Sequence, residues 1–259
     1  MSKAFIDNFS SKSKEYSFSR PIYPDELFEF LSNMIPNKDL AWDCATGNGQ
    51  AAIGLCKYFK NVIASDASRN QIDNKFEREN ILYQVFPAED AAAPYLSDNS
   101  VDLVTVATAV HWFDFKRFYN EVNRVSKKKG EGGRIAVWCY GMHHINPKID
   151  KIIERLDVDG DILGEFWPKE IRYIKEKYRT IPFPFKEIDT PNFKMKTNWN
   201  MYQLFNYMQT WSAVKKYQIE RKSDPLDLVR EDIKNLWSKE ESDQKLITWD
   251  IYLRVGIIQ

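Results

Sequence analysis

Five short apolar runs, each the length of one strand and each parted from the next by helical or turn-forming sequence, constrain this chain more than any other feature. They are Leu40-Ala41-Trp42-Asp43-Cys44, Val62-Ile63-Ala64-Ser65, Ile81-Leu82-Tyr83-Gln84-Val85, the run 101–107, and Arg134-Ile135-Ala136-Val137-Trp138. Runs this short, with little polar alternation, belong to strands buried on both faces, and such strands need a parallel sheet with helices on each side. The intervening sequence supplies helices. The stretch 25–34 carries Leu27, Phe28, Phe30, Leu31 and Met34 at helical spacing between Pro24 and Pro36, and 50–59 gives a broad apolar face. A polar helical stretch is predicted over 68–79, and a further helix over 115–125 behind the fourth strand. Past Gly141 the rhythm changes. The stretch 149–178 reads as two helices with Trp167-Pro168 between them, 185–188 and 251–258 read as strands, and helical sequence over 202–216 and 226–237 lies between those strands.

A chain of 259 residues can bury one elaborated core without staples. Its 37 basic and 37 acidic side chains cancel, and its one dense basic run, Lys127-Lys128-Lys129, reads as a solvated loop after a helix; nucleic acid is therefore not expected as the main partner. The first thirty residues are polar and broken by Pro21 and Pro24, and no stretch approaches the ~20 apolar residues of a membrane span, so neither export nor a membrane is expected. Cys44, Cys56 and Cys139 are odd in number and lack metal spacing, which fits free thiols in the cytosol. Aromatics reach 14%, with eight Trp, more than core filling asks for, and some are expected to line a ligand pocket.

The strongest motif is Asp43-Cys44-Ala45-Thr46-Gly47-Asn48-Gly49-Gln50 at the end of the first strand, with Asp66 at the end of the second. Glycines let backbone approach an adenosyl ligand, and an acid at the second strand tip can accept hydrogen bonds from both ribose hydroxyls. Gly47-x-Gly49-x-x-Ala52 also satisfies the dinucleotide fingerprint, so the loop alone leaves methyl donor, NAD(P) and a turn without ligand open. Its surroundings favour the first. No Tyr-x-x-x-Lys pair or histidine–acid relay suited to a dehydrogenase stands downstream. Instead Ala88-Glu89-Asp90 follows the third strand, and the fourth runs into Ala107-Thr108-Ala109-Val110-His111-Trp112-Phe113-Asp114.

With these motifs the sequence resembles the class I S-adenosylmethionine-dependent methyltransferases, in the small-molecule branch that includes trans-aconitate methyltransferases and fungal cantharidin-resistance enzymes. The likeness also runs through Tyr16 with Arg20-Pro21-Ile22-Tyr23-Pro24, Ser100-Val101-Asp102-Leu103-Val104, Arg124-Val125, Gly132-Gly133-Arg134, Phe166-Trp167 and Ile181-Pro182-Phe183-Pro184-Phe185. It implies an α/β, Rossmann-like, seven-stranded, mostly parallel sheet with helices on both faces, the last strand antiparallel, and a helical cap. One domain would span 1–259: an N-terminal lid and helix (1–36), a cofactor-binding core (37–140), an acceptor-side cap (141–180), and the last strands with their helices (181–259).

Carried over by position, the resemblance implies S-adenosylmethionine held by Asp43, Ala45, Thr46, Gly47, Asn48, Gly49, Gln50 and Ala67, with Asp43, Gly47 and Gly49 around its methionine end and Asp66 at the ribose. Ala88, Glu89 and Asp90 would lie by the adenine, and Ala107 and His111 near the sulfonium and the carboxypropyl chain. Tyr16 and Arg20 would close the site, and Tyr16, Arg20, His111 and Trp112 would surround the reacting groups. Ala45 departs from the family, which usually has a glycine there, as does the long 127–133 turn.

The expected partner is a small-molecule acceptor, with a carboxylic acid favoured, oriented by Arg20, Tyr140, His143, His144, Trp167 and Arg172. Adjacent histidines on an extended loop point apart, so no metal is expected at His143-His144. Methyl transfer needs chiefly a near-attack pose and exclusion of water. The reading is S-adenosylmethionine-dependent methylation, most simply at a carboxylate oxygen; an NAD(P)-dependent oxidoreductase and a non-catalytic S-adenosylmethionine-binding protein are the alternatives.

Overall fold

The computed structural model describes residues 20–90, 95–128, 133–238, 240 and 242–259. Strands β1 (Leu40–Cys44), β2 (Asn61–Asp66), β3 (Ile81–Val85), β4 (Leu103–Ala107) and β5 (Arg134–Tyr140) form on the five apolar runs and pair in parallel. The sheet is completed by β6 (Lys186–Ile188), β7 (Phe193–Trp199) and β8 (Lys245–Ile257), giving the order β3-β2-β1-β4-β5-β8-β6, with β7 also on β8. From β1 the chain first builds outward to β3 and then returns to the other flank of β1 with β4. That reversal opens a crevice at the carboxyl ends of β1 and β4, where ligands of such sheets sit.

Strand β8 is long enough to do two jobs. Its second half pairs antiparallel with β5 on one side and β6 on the other, while its first half carries β7. The expected seven strands are therefore eight. Strand β7 has a weak signal because only Met195 and Trp199 are buried, with Lys194, Lys196 and Asn198 exposed between them, as suits a one-faced edge strand.

Helices cover both faces. On one, Leu27, Phe28 and Leu31 of α1 (Asp25–Asn33) and Leu55 of α2 (Gln50–Leu55) join Trp138 in one core. On the other, Phe118, Val122 and Val125 of α4 (Phe115–Val125) pack with Trp42, Val104 and Ile135. Between them in sequence, α3 (Arg69–Asp73) is shorter than the predicted 68–79 helix. Ser68 caps its start, but Phe76 N–H donates to Asn48 O at 3.0 Å, drawing the chain toward the β1 loop instead of onward as helix.

The cap differs from two helices. Only α5 (Pro147–Ile153) and the single turn α6 (Arg172–Lys175) are α-helical, and three 3₁₀ turns lie between them. Gly160 and Pro168 punctuate this stretch, and a Cβ on Gly160 would lie 2.3 Å from Arg155 O. Helices α7 (Met201–Gln209), α8 (Ser212–Arg221) and α9 (Asp227–Trp237) extend the cap, α9 packing on α5 and α8 on the turn Gly164–Phe166. Among the described residues, no helix is long and apolar enough to cross a membrane.

Candidate active site

The β1–α2 loop owes its shape to three residues with left-handed backbone: Ala45 at φ 53°, Gly47 at 59° and Gly49 at 98°. This alternation turns the chain sharply out of the sheet and into α2. Thr46 N–H donates to Ser65 O at 2.8 Å and Gly49 N–H to Thr46 O at 3.0 Å, tying the loop to β2 and to itself. Beneath it Asp43 is fully buried. Its Oδ2 accepts from Thr46 Oγ1 at 2.5 Å and its Oδ1 from Thr105 Oγ1 at 2.7 Å, so the carboxyl staples the loop to β4. Burial raises its pKa to about 6, against the lowering influence of those hydroxyls.

At the tip of β2, Asp66 also organises backbone. Its Oδ2 accepts from Gly47 N–H at 2.9 Å and its Oδ1 from Ser68 N–H at 2.8 Å. A carboxylate can accept up to about four donors, so the same group can serve a ligand's hydroxyls. Across the crevice, Glu89 Oε1 accepts from Asp114 N–H at 2.9 Å at the start of α4.

These groups open into one cavity of about 1310 Å³, reaching from Asp66 and Glu89 to an aromatic chamber under the cap. A single small-molecule site holds roughly 300–1,000 Å³, so this one has room for a cofactor and an acceptor together. In the chamber, Arg20 donates to the Tyr140 hydroxyl at 2.7 Å, and its guanidinium lies 5.2 Å from the centre of the Tyr207 ring. The floor is His111, which is buried, with its Nδ1 2.6 Å from the Tyr178 hydroxyl; burial depresses its pKa to about 3, leaving a neutral ring.

The wall gathers most of the residues singled out from sequence: Ala45, Thr46, Gly47, Asn48 and Gln50 of the loop; Asp66 and Ala67; Ala88, Glu89 and Asp90; Ala107, His111 and Trp112. Of the residues expected at the acceptor it gathers Arg20, Tyr140, His144 and Trp167.

Others stand elsewhere. Asp43 and Gly49 lie behind the wall, and a Cβ on Gly49 would sit 2.0 Å from the Tyr83 hydroxyl, so that glycine answers to protein packing. Arg172 is exposed and pairs with Asp159 at 3.0 Å, away from the cavity. His143 is buried behind it among Tyr207, Trp211 and Trp249, with its pKa lowered to about 3 by burial. His144 points the other way, 3.5 Å from Asp150, as expected of neighbours on an extended segment. Tyr16 falls outside the described residues. Ser68, Gln71, Met142, Tyr207 and Trp211 also stand in the wall, and Tyr178 behind His111, none of them marked by a sequence motif. The aromatic excess was the one signal pointing to Tyr207 and Trp211.

A nucleoside-bearing cofactor fits the loop end of the cavity. Buried Asn48 Nδ2 and Gln71 Oε1, both on wall residues, have no partner among the described residues, and a fold seldom leaves such atoms unanswered. The acid at the β2 tip, Asp66, also lines this end and offers oxygens of the kind that accept from ribose hydroxyls.

Fold and site together define a nucleoside-cofactor enzyme of the open α/β type. Within that class, residues 42–132 match the methyltransferase domain family. A Dictyostelium discoideum protein named as a methyltransferase is 32% identical over 94% of this chain and 91% of its own length. The Saccharomyces cerevisiae protein CRG1, named as an S-adenosylmethionine-dependent methyltransferase, is 27% identical over 70% of this chain and 62% of its own. A solved structure from Anaeromyxobacter dehalogenans, named as a type II methyltransferase, superimposes with TM-score 0.83 at 35% identity, covering 92% of this chain and 98% of that one. The chain belongs to the class I S-adenosylmethionine-dependent methyltransferases, and its cofactor is S-adenosylmethionine. The oxidoreductase reading that the glycine loop left open is thereby set aside.

Proposed function

We propose that the chain methylates a small-molecule acceptor, and that the methylated group is a carboxylate oxygen. The observation that carries this reading is the single cavity, which joins the cofactor loop to a chamber walled by Tyr140, Trp167, Tyr207 and Trp211 and served by Arg20. Cap residues Phe166, Trp167 and Ile171 help to wall the chamber, giving it the concave, aromatic-lined form that suits a small molecule. Arg20 is aimed by the Tyr140 hydroxyl and the Tyr207 ring, and a held guanidinium can grip a carboxylate through two parallel hydrogen bonds.

S-adenosylmethionine bound here would supply an electrophilic methyl group with its sulfur as leaving group, which a carboxylate oxygen could accept with no proton to move. Ala45 to Asn48 and Gln50 line the methionine end, Asp66 and Glu89 the nucleoside end, and Ala107 and His111 border the join between the two halves. The aromatic walls exclude water and fix the approach, which is most of what this displacement needs.

The experiment is an acceptor screen that follows S-adenosylhomocysteine release over mono-, di- and tricarboxylic acids, set beside matched alcohols, phenols and amines. Turnover confined to the acids, with the product an ester by mass, is the expected result. Turnover of amines or alcohols with the acids inert overturns the carboxylate reading.

A further inference from the structure

His111 and Tyr178 meet at 2.6 Å, and which atom carries the proton decides what His111 can do. Bonds donated by N–H to oxygen run from about 2.7 Å upward, whereas those donated by O–H reach down to about 2.5 Å, so the short separation fits the phenol donating to Nδ1. Chemistry agrees, because a phenol is the stronger acid and an imidazole nitrogen the stronger base. Burial agrees as well. Tyr178 is wholly buried, and among the described residues His111 is the only partner of its hydroxyl, so the reverse arrangement would strand its proton.

The backbone is bent to keep this hydroxyl in place. Lys177 and Tyr178 both have φ of 59°, two successive side-chain-bearing residues in the left-handed region. Arg254 of β8 holds the bend, donating from one nitrogen to Tyr178 O and Ile181 O, each at 2.9 Å, while its other nitrogens grip Glu187.

We propose that Tyr178 is a positioning residue that locks His111 in the tautomer whose Nε2–H faces the cavity, making His111 a hydrogen-bond donor to the acceptor and not a base. With Nδ1 occupied and Nε2 protonated, the ring has no lone pair with which to take a proton. An acceptor must therefore arrive ionised, which selects oxygen acids over alcohols. That last step rests on the methyl transfer proposed above; the tautomer does not.

The chain has only three histidines, so the test is direct. Long-range proton–nitrogen correlation spectra of the full chain, labelled with ¹⁵N-histidine and saturated with S-adenosylhomocysteine, report which nitrogen of His111 is protonated. His111→Asn identifies the signal. Nε2–H with an accepting Nδ1 is expected, and Nδ1–H overturns the proposal even if no acceptor is known. In Tyr178→Phe the single-tautomer signature should be lost and kcat should fall at least tenfold, with the Kd for S-adenosylhomocysteine within threefold of the parent. An unchanged tautomer, or a changed tautomer with unchanged kcat, overturns the positioning role. Should the variant not fold, the parent spectrum still decides. For the acceptor class, an acid should exceed its matched primary alcohol at least a hundredfold in kcat/KM. Equal turnover of the two would remove the selection for ionised acceptors while leaving the methyltransferase assignment standing.

Discussion

The hydroxyl of Tyr83 on β3 occupies the space that a side chain on Gly49 would need: a Cβ there would lie 2.0 Å from the oxygen and 2.9 Å from Cζ. The same hydroxyl donates to Phe76 O at 2.7 Å, fixing the segment after α3. Gly49 is thus glycine twice over, for this contact and for its φ of 98°. Gly49→Ala is expected to destabilise the fold by about 2 kcal/mol or more and to weaken S-adenosylhomocysteine binding through the displaced loop. The double variant Gly49→Ala/Tyr83→Leu should recover part of the stability but not all, since only the contact is relieved. Calorimetric melting of the single and double variants reads this out, and full recovery would show that the backbone angle carries no cost.

Asp66 is a structural anchor as well as the proposed ribose ligand. It holds Gly47 N–H and Ser68 N–H, so Asp66→Ala removes two bonds to a charged acceptor, each worth about 1.5–3 kcal/mol before relaxation. The variant should lose stability measurably without ligand, and S-adenosylhomocysteine affinity should fall at least tenfold. Titration calorimetry together with denaturant unfolding checks both. Affinity matching the parent would remove Asp66 from the binding site, whatever happened to stability.

The parallel half of the fold is legible because five apolar strands and their helices follow local rules, with nothing distant needed to place them. The cavity's loop side is legible for the same reason: Gly47, Asp66 and Glu89 sit at strand ends that the sequence marks. The aromatic side is not, because Tyr207 and Trp211 reach the wall only after α7 and α8 fold over the sheet, far along the chain from Tyr140. Asp43 and Gly49 show a different limit. Both stand in the cofactor motif, yet they build the loop from behind, and spacing alone does not tell a residue that touches a ligand from one that shapes its neighbour.

Ala45 stands where the resembled family usually has glycine, and its φ of 53° supplies the reason for the glycine. A left-handed alanine costs about 1–2 kcal/mol, whereas glycine there gives back roughly 0.4–1 kcal/mol through the unfolded chain. Ala45→Gly should therefore leave stability unchanged or raise it by up to about 1.6 kcal/mol. A loss of 1 kcal/mol or more in denaturant unfolding would mean the methyl group packs favourably in the cavity wall.

Arg20 tests the acceptor. Lysine keeps the charge but loses the fork that engages Tyr140 at 2.7 Å, so Arg20→Lys is expected to lower turnover at least tenfold. Steady-state kinetics and calorimetry locate the effect. A rise in acceptor KM assigns the guanidinium to the acceptor's carboxylate, and a rise in donor Kd assigns it to the cofactor's methionine end. If neither affinity nor turnover moves, the chamber has lost its best-placed cation and the carboxylate reading weakens with it.

Asp43 gives the fold a dependence on pH whose sign follows from its burial. Its pKa is about 6 in the folded chain, against an ordinary value of 3.8, because burial disfavours the charged carboxylate more than the hydroxyls of Thr46 and Thr105 favour it. The folded state therefore binds this proton more tightly than the unfolded state does. The stability contributed by that proton is fully present below about pH 4 and is lost as pH rises through 6. A difference of that size between folded and unfolded chain is worth at most about 3 kcal/mol. Asp43→Asn keeps the shape and cannot titrate, so the parent should lose stability relative to the variant between pH 4 and pH 6.5, and the difference should be level from pH 7 upward. Denaturant unfolding of both proteins at pH 4.5, 5.5, 6.5 and 7.5, without ligand, measures it. A difference that stays constant across that range would show that the carboxyl beneath the loop is ionised throughout.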